Sequence, residues 1–209
     1  MNTLSTTENK ELMAQARRSL EGRWGVAAGA TAVFFLIGFG LEFIPYIGTI
    51  VNHVIRGALT IGLSTFFLAL ARGQKAEVSQ LFSGFDRFLV GLCAYLLQAL
   101  FVILWALLLI IPGIIASLSY AMTFFIIAEN RDIGPLEAIT KSKEMMYGNK
   151  WKFFCLGLRF IGWSLLCVVT LGIAALWVFP YMMVAFAKFY DDLKTENMVF
   201  YENADATVH

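Results

Sequence analysis

Few ionisable residues of this chain fall inside apolar sequence, and those few mark where chemistry would sit. Glu42, Asn52, His53 and Arg56 cluster around one short region. His53 and Arg56 are three apart, which places them on one face of a helix. Polar groups within a membrane are costly and often functional, but near an interface long side chains snorkel back to water. Two readings stay open: a structural cap in which Glu42 pairs with Arg56, or a polar entrance to a cavity. Arg159 stands alone in an apolar run, about 10 Å along a helix from Trp151. Glu129, Asp191 and Asp192 are its natural partners; a contact to substrate or a lipid headgroup is the alternative.

Other chemistries find little support. Cys93, Cys155 and Cys167 all lie in apolar stretches at no metal-ligand spacing, and the two histidines are His53 and His209. No metal site and no cofactor are expected, and the cysteines read as small packed hydrophobes. There is no Gly-rich phosphate loop, zinc-binding histidine pair, nucleophile elbow or Cys-His pair. No catalytic residue is assigned, and the chain is not expected to be an enzyme. A net charge of +1 gives no footprint for nucleic acid.

The elements that must position these residues follow from composition. Of 209 residues, 59% are hydrophobic and 15% charged, with a mean hydropathy of +0.71. A soluble domain carries about 25% charged residues, so the bilayer is the solvent that fits. The fold expected is an all-α polytopic membrane protein. Six transmembrane helices are read: Trp24–Ile44, Ile50–Ala71, Phe88–Ile111, Pro112–Ala128, Trp151–Leu171 and Ile173–Tyr190. Turns near Pro45, Pro112 and Gly172 would join them as three hairpins. The chain then divides into an N-terminal amphipathic segment (1–23), a membrane domain (24–190) and a tail (191–209). The first 22 residues lack the apolar core of a signal peptide, so the first span is expected to be an uncleaved anchor.

Lys and Arg set the orientation. They precede the first span, fill both long loops around Lys75 and Lys143, and recur at Lys188 and Lys194, whereas the three short turns contain none. The positive-inside rule puts both termini and both long loops in the cytoplasm, in a multi-pass protein of the cell membrane.

A short motif recurs before the first, third and fifth spans. An apolar residue (Leu20, Phe82, Met146) stands two before a glycine (Gly22, Gly84, Gly148). A basic residue and an aromatic follow: Arg23 with Trp24, Arg87 with Phe88, Lys150 with Trp151. The glycine would end a short amphipathic helix, the aromatic would anchor the interface, and the basic residue would meet anionic headgroups. Leu12, Ala16, Leu20 and Trp24 fall on one helix face, and Pro135 suits the first position of a helix. Three such cytoplasmic helices are expected, lying on lipid or docking a soluble partner. Gly25 and Gly29 form a Gly-x-x-x-Gly pattern for close helix contact, within one subunit or between subunits. Pro180 should kink the sixth span or open its hydrogen-bond ladder.

The stretch Pro112–Leu193 holds the most distinctive residues. They include Pro112-Gly113, Tyr120, Glu129-Asn130, Asp132-Ile133, Glu137-Ala138, Ser142, Met146, Gly148, Lys150-Trp151, Phe160-Ile161-Gly162-Trp163, Thr170, Gly172, Pro180-Tyr181 and Phe189-Tyr190. In that order they resemble a family of bacterial integral membrane proteins, the domain-of-unknown-function family 975. The segment "LFSGFDRF" from Leu81 to Phe88 resembles that family's middle loop. Arg131 stands where the pattern has proline, and Arg159 where it has a small polar residue. The resemblance implies a membrane location and a bacterial source, and no mechanism.

The function expected is that of a non-catalytic membrane component organising lipid or partner proteins at the cytoplasmic membrane. Its partners would be membrane lipids, a cytoplasmic or membrane protein, or a further copy of the chain. The alternative is a small transporter or oligomeric channel, favoured by the repeats, Pro180, His53, Arg56 and Arg159.

Overall fold

The computed structural model describes residues 4–44 and 46–206, with side chains as far as Glu196. The described residues are helical with no strand: α1 (Asn9–Leu20), α2 (Trp24–Glu42), α3 (Ile47–Ala71), a 3-10 segment (Val78–Arg87), α4 (Phe88–Leu108), α5 (Ile110–Ser119), α6 (Thr123–Glu129), α7 (Pro135–Met145), α8 (Lys150–Leu158), α9 (Ile161–Val169) and α10 (Ala175–Ala206).

Five helical stretches are long and apolar enough to cross a membrane: 24–42, 47–71, 78–108, 110–129 and 150–169. Stretches of this length and composition suggest a membrane protein. The stretch expected as a sixth span falls in α10 and is not among the five. Its uncharged run, Ala175–Ala187, covers roughly 20 Å, short of a hydrocarbon core about 30 Å thick. Lys188, Asp191 and Asp192 then enter the same helix.

Hydropathy hides three features. The turn expected at Pro112 is made instead by Leu109, the one extended residue between α4 and α5. Pro112 lies in the first turn of α5, where its missing N–H costs no helical bond. The expected fourth span breaks at Tyr120–Met122 into α5 and α6, and the fifth breaks at Arg159–Phe160 into α8 and α9. The turn at Gly172 is present, with Leu171 and Gly172 both at positive φ. The turn expected at Pro45 lies outside the described residues. Pro180 lies within α10 without ending it.

Helix α3 is the interior element. Its most apolar window is 72% buried, against 17% for α2 and 11% for the stretch containing α4. Its buried half runs from Gly57 to Ala71 and packs with α6, α1 and the Val184–Leu193 part of α10. Residues around the three turns face outward: Phe43 is 86% exposed, Leu107 79% and Leu171 93%. Water would not tolerate that much apolar surface, and lipid does.

Close approach within the chain is supplied by glycines other than Gly25 and Gly29. A Cβ at Gly25 or Gly29 would meet nothing within 4 Å. At Gly57 it would lie 2.1 Å from the Gly91 carbonyl oxygen, at Gly62 1.9 Å from that of Leu81, and at Gly84 1.9 Å from that of Ala58. Backbone-to-backbone contact of this kind needs glycine, and it seats α3 against the 3-10 segment and α4.

The α1 face carrying Leu12, Ala16 and Leu20 is buried as a unit. It rests on α10 and α3 rather than on lipid or an outside partner. Likewise α7 buries Ala138, Ile139, Ser142 and Met145 against α6, α4 and α5, leaving Leu136 exposed. Covering apolar surface of the bundle is what these faces do within the chain.

Candidate functional site

A network of polar contacts joins distant elements around the ends of α3 and α6. Arg72, just after α3, is the hub. Its Nη2 lies 2.6 Å from Asp191 Oδ1 and 2.8 Å from Glu129 Oε1, and its Nε also donates to Asp191 at 3.1 Å. Lys194 Nζ reaches the same Glu129 Oε1 at 2.9 Å, and the Tyr190 hydroxyl donates to Oε2 at 2.7 Å. The Asp191 hydrogen bond, working against burial, holds Arg72 charged well above its ordinary range, with Glu129 adding to it. This network joins the end of α3, the end of α6 and the middle of α10.

Two arginines of the sequence motif make contacts within the chain that the motif did not reveal. Arg23 donates to the carbonyls of Gln74 (2.9 Å) and Gly73 (3.0 Å), just beyond the end of α3. Arg87 donates to those of Ile127 (2.8 Å), Asn130 (2.6 Å) and Ile133 (2.7 Å), at and beyond the end of α6. The last carbonyls of a helix have no intrahelical partner, and a guanidinium fork satisfies several at once. Each arginine ties the start of an outgoing helix (α2, α4) to the end of the following return helix (α3, α6). The equivalent Lys150 has no such end to cap, because α10 continues to Ala206.

The N-terminal segment is tied to the start of α8 and to α10. The Ser5 N–H donates to Asn149 Oδ1 at 2.8 Å, and Lys152 Nζ donates to the Ser5 carbonyl at 2.8 Å. The Ser5 and Thr7 hydroxyls donate to the Asp192 carboxylate.

Of the motif glycines, Gly22 (φ +73°) and Gly148 (φ +81°) adopt the left-handed conformation that closes a preceding helix. Gly84 does not; it serves close packing instead. Leu20 and Met146 are fully buried, whereas Phe82 is 48% exposed and begins a stacked ladder with Phe85 and Phe88. Trp24 packs on Tyr181, and Trp151 is exposed. The first and third units thus share their local geometry and the middle one departs from it.

The break at Tyr120–Met122 is repaired from α7. Ser142 is fully buried; its hydroxyl donates to the Ser119 carbonyl at 2.9 Å and accepts from the Met122 N–H at 3.1 Å. A broken helix survives at depth only where its freed backbone groups find partners. Neither the break nor this role of Ser142 was foreseen; the one signal was the serine on the otherwise buried face of α7.

The two expected ion pairs take other forms. Arg159 is exposed and makes no salt bridge among the described residues, where Glu129 and Asp191 are taken by Arg72 and Asp192 by Ser5 and Thr7. Glu42 accepts from Asn52 Nδ2 at 2.9 Å and makes no salt bridge with Arg56. Asn52 is 9% exposed and lies between α2 and α3. Beside it a cavity of about 250 Å³ is lined by Glu42, Asn52, Arg56 and the rings of Phe34, Phe35 and Phe39. His53 faces the other way, with its ring 6.2 Å from that of Tyr95 on α4 and its Nδ1 2.9 Å from the Thr49 carbonyl. The His/Cys/Asp/Glu residues described form no group able to hold a metal ion.

The family described as protein of unknown function (DUF975) has a model that matches residues 1–116 and 106–197, and the chain belongs to that family. No curated protein and no solved structure matches it.

Proposed function

We propose that this DUF975 member is a non-catalytic integral membrane protein that organises lipid or partner proteins at the cytoplasmic membrane of a bacterium. In this reading three helical hairpins, α2–α3, α4–α5/α6 and α8/α9–α10, form six spans with both termini cytoplasmic. The apolar part of α10 is short for a span, and the neighbouring helices and local thinning of the bilayer accommodate the shortfall.

The observation that carries the reading is the division of the molecule into two unlike ends. One end holds the Arg72–Glu129–Asp191–Lys194 network, the arginine staples and the tethered N-terminal segment. The other end consists of turns whose apolar side chains point outward. A cross-braced platform with lipid-facing arms suits organisation of the bilayer. The sequences 72–87 and 129–152 at the braced end are rich in Lys and Arg, which favours the cytoplasmic side for it. The left-handed glycines and buried apolar residues shared by the first and third openings, and the carbonyl staples shared by the first and second, support an approximate repeat about the membrane normal.

Two measurements test this. Single-cysteine probes at residues 75 and 143 in a Cys-free background should label only from the cytoplasmic side; labelling from outside intact cells refutes the topology. Vesicles containing the purified chain should leak potassium ions and protons at the rate of empty vesicles. A saturable or voltage-dependent flux would refute the scaffold and install the transporter in its place.

A further inference from the structure

We infer that the groove between α2 and α3 is a binding site for the headgroup of an aminophospholipid of the phosphoethanolamine class, with Arg56 taking the phosphate and Glu42 the ammonium. This deepens the lipid-organising reading and rests on the membrane placement proposed above.

The first support is the charge inventory of the groove. Arg56 lines it and makes no salt bridge among the described residues, and its guanidinium presents five donors in a planar fork suited to phosphate oxygens. Glu42 lines the same groove; Asn52 occupies its Oε1, and Oε2 is left for a further donor. The two ions of opposite sign share one cavity without pairing, which is the complement of a zwitterion.

The second support is preorganisation. Asn52 is nine-tenths buried and also lies 3.5 Å from the Gly38 carbonyl, so the Glu42 carboxylate is held from below by a fixed donor. Burying an amide here is offset only because its hydrogen bonds are made.

The third support is depth and shape. From Trp24 to Glu42 the 19 residues of α2 span about 28 Å, close to the hydrocarbon thickness, so Glu42 reaches the far interface. Arg56 lies further down α3, about 13 Å from its start at Ile47. Its long side chain bridges the apolar zone and the headgroup level by snorkelling. A cavity of about 250 Å³ equals roughly eight water volumes, the scale of a headgroup rather than a whole lipid. The rings of Phe34, Phe35 and Phe39 form an apolar wall along which an acyl chain would continue.

The proposal makes a charge-swap prediction. Glu42 selects for a primary ammonium and against a purely anionic headgroup, while Arg56 is needed for any phospholipid. The full-length chain is purified in detergent, and its thermal stabilisation is titrated with phosphatidylethanolamine, phosphatidylglycerol and phosphatidylcholine, each of the same acyl composition. The native chain should respond to phosphatidylethanolamine at lower lipid concentration than to either other lipid. Glu42→Gln should abolish that preference and raise the response to phosphatidylglycerol. Arg56→Gln should weaken all three by about tenfold, the loss of one charge-assisted contact, and Arg56→Lys should restore part of it. Native mass spectrometry of the same samples separates retained lipid from unfolding, so a poorly folded variant is still read. Equal response of the native chain to phosphatidylethanolamine and phosphatidylglycerol, or an unchanged preference in Glu42→Gln, overturns the site. The site does not depend on which side of the membrane it faces. A cytoplasmic location of Glu42 by cysteine labelling would therefore refute the topology and leave the headgroup assignment standing.

Discussion

Gly57→Ala puts the packing argument under the strictest test, because one methyl group is set against the backbone of a neighbouring helix. The added Cβ would fall 2.1 Å from the Gly91 carbonyl oxygen, 2.4 Å from its carbon and 2.9 Å from the Leu92 nitrogen. All three atoms are backbone, so no rotamer change relieves the contact. Helices α3 and α4 must part by roughly 1 Å, an overpacking that costs about 1–3 kcal/mol. The separation also loosens the approaches of Gly62 to Leu81 and of Gly84 to Ala58, which belong to the same face. Alanine returns up to about 1 kcal/mol of helix propensity over glycine. The expected balance is a destabilisation of about 1–2 kcal/mol, or a fall in Tm of roughly 2–8 °C for a chain of this size. Gly25→Ala and Gly29→Ala carry the same propensity gain with nothing within 4 Å to strike, so their Tm should hold or rise. Thermal unfolding in a single detergent, followed by tryptophan fluorescence, measures all three. If Gly57→Ala is as stable as the native chain, or if Gly25→Ala falls as far, the α3–α4 contact is not what organises the bundle.

Substitutions at four further positions probe the polar contacts. Ser142→Ala strands the Met122 N–H and the Ser119 carbonyl in a buried setting and should cost about 1–3 kcal/mol, with hydrogen exchange rising first at residues 119–123. Arg87→Met removes three carbonyl contacts; faster exchange confined to 127–134 is expected, and Arg87→Lys should recover little because an ammonium lacks the planar fork. Glu129→Gln leaves Arg72 and Lys194 without the carboxylate they share and should cost on the order of 1–2 kcal/mol, between surface and buried pairs. Arg159→Leu, at a residue with no salt bridge, should be neutral or stabilising in the same melt, and a loss equal to that of Glu129→Gln would show that Arg159 has a partner.

What the sequence conveyed and what it withheld divide along a physical line. Signals that are local were legible. Apolar runs mark the helices long enough to span a bilayer because a span's length is set within each run separately. Gly22 and Gly148 mark helix ends because a left-handed residue is required there, and Pro135 opens α7 because its missing N–H is no loss at that position. Signals that need a second segment were not legible. Hydropathy is blind to the break at Tyr120–Met122, since the residues on both sides are equally apolar; only Ser142, twenty positions further on, shows that the freed backbone groups are met. The same holds for the glycines. Gly25 and Gly29 match a one-helix spacing pattern, but within the chain Gly57, Gly62, Gly84 and Gly91 make the close contacts, because what selects glycine there is the approach of another backbone. Charge behaved likewise. Arg23 and Arg87 read as lipid anchors from their place at a membrane edge, yet each sits beside a helix end with unpaired carbonyls. A guanidinium in that position meets the nearest strong acceptors first. Arg56 is the contrasting case: among the described residues it caps no helix end and makes no salt bridge, even with the Glu42 carboxylate in the same groove, and the proposed lipid headgroup rests on that.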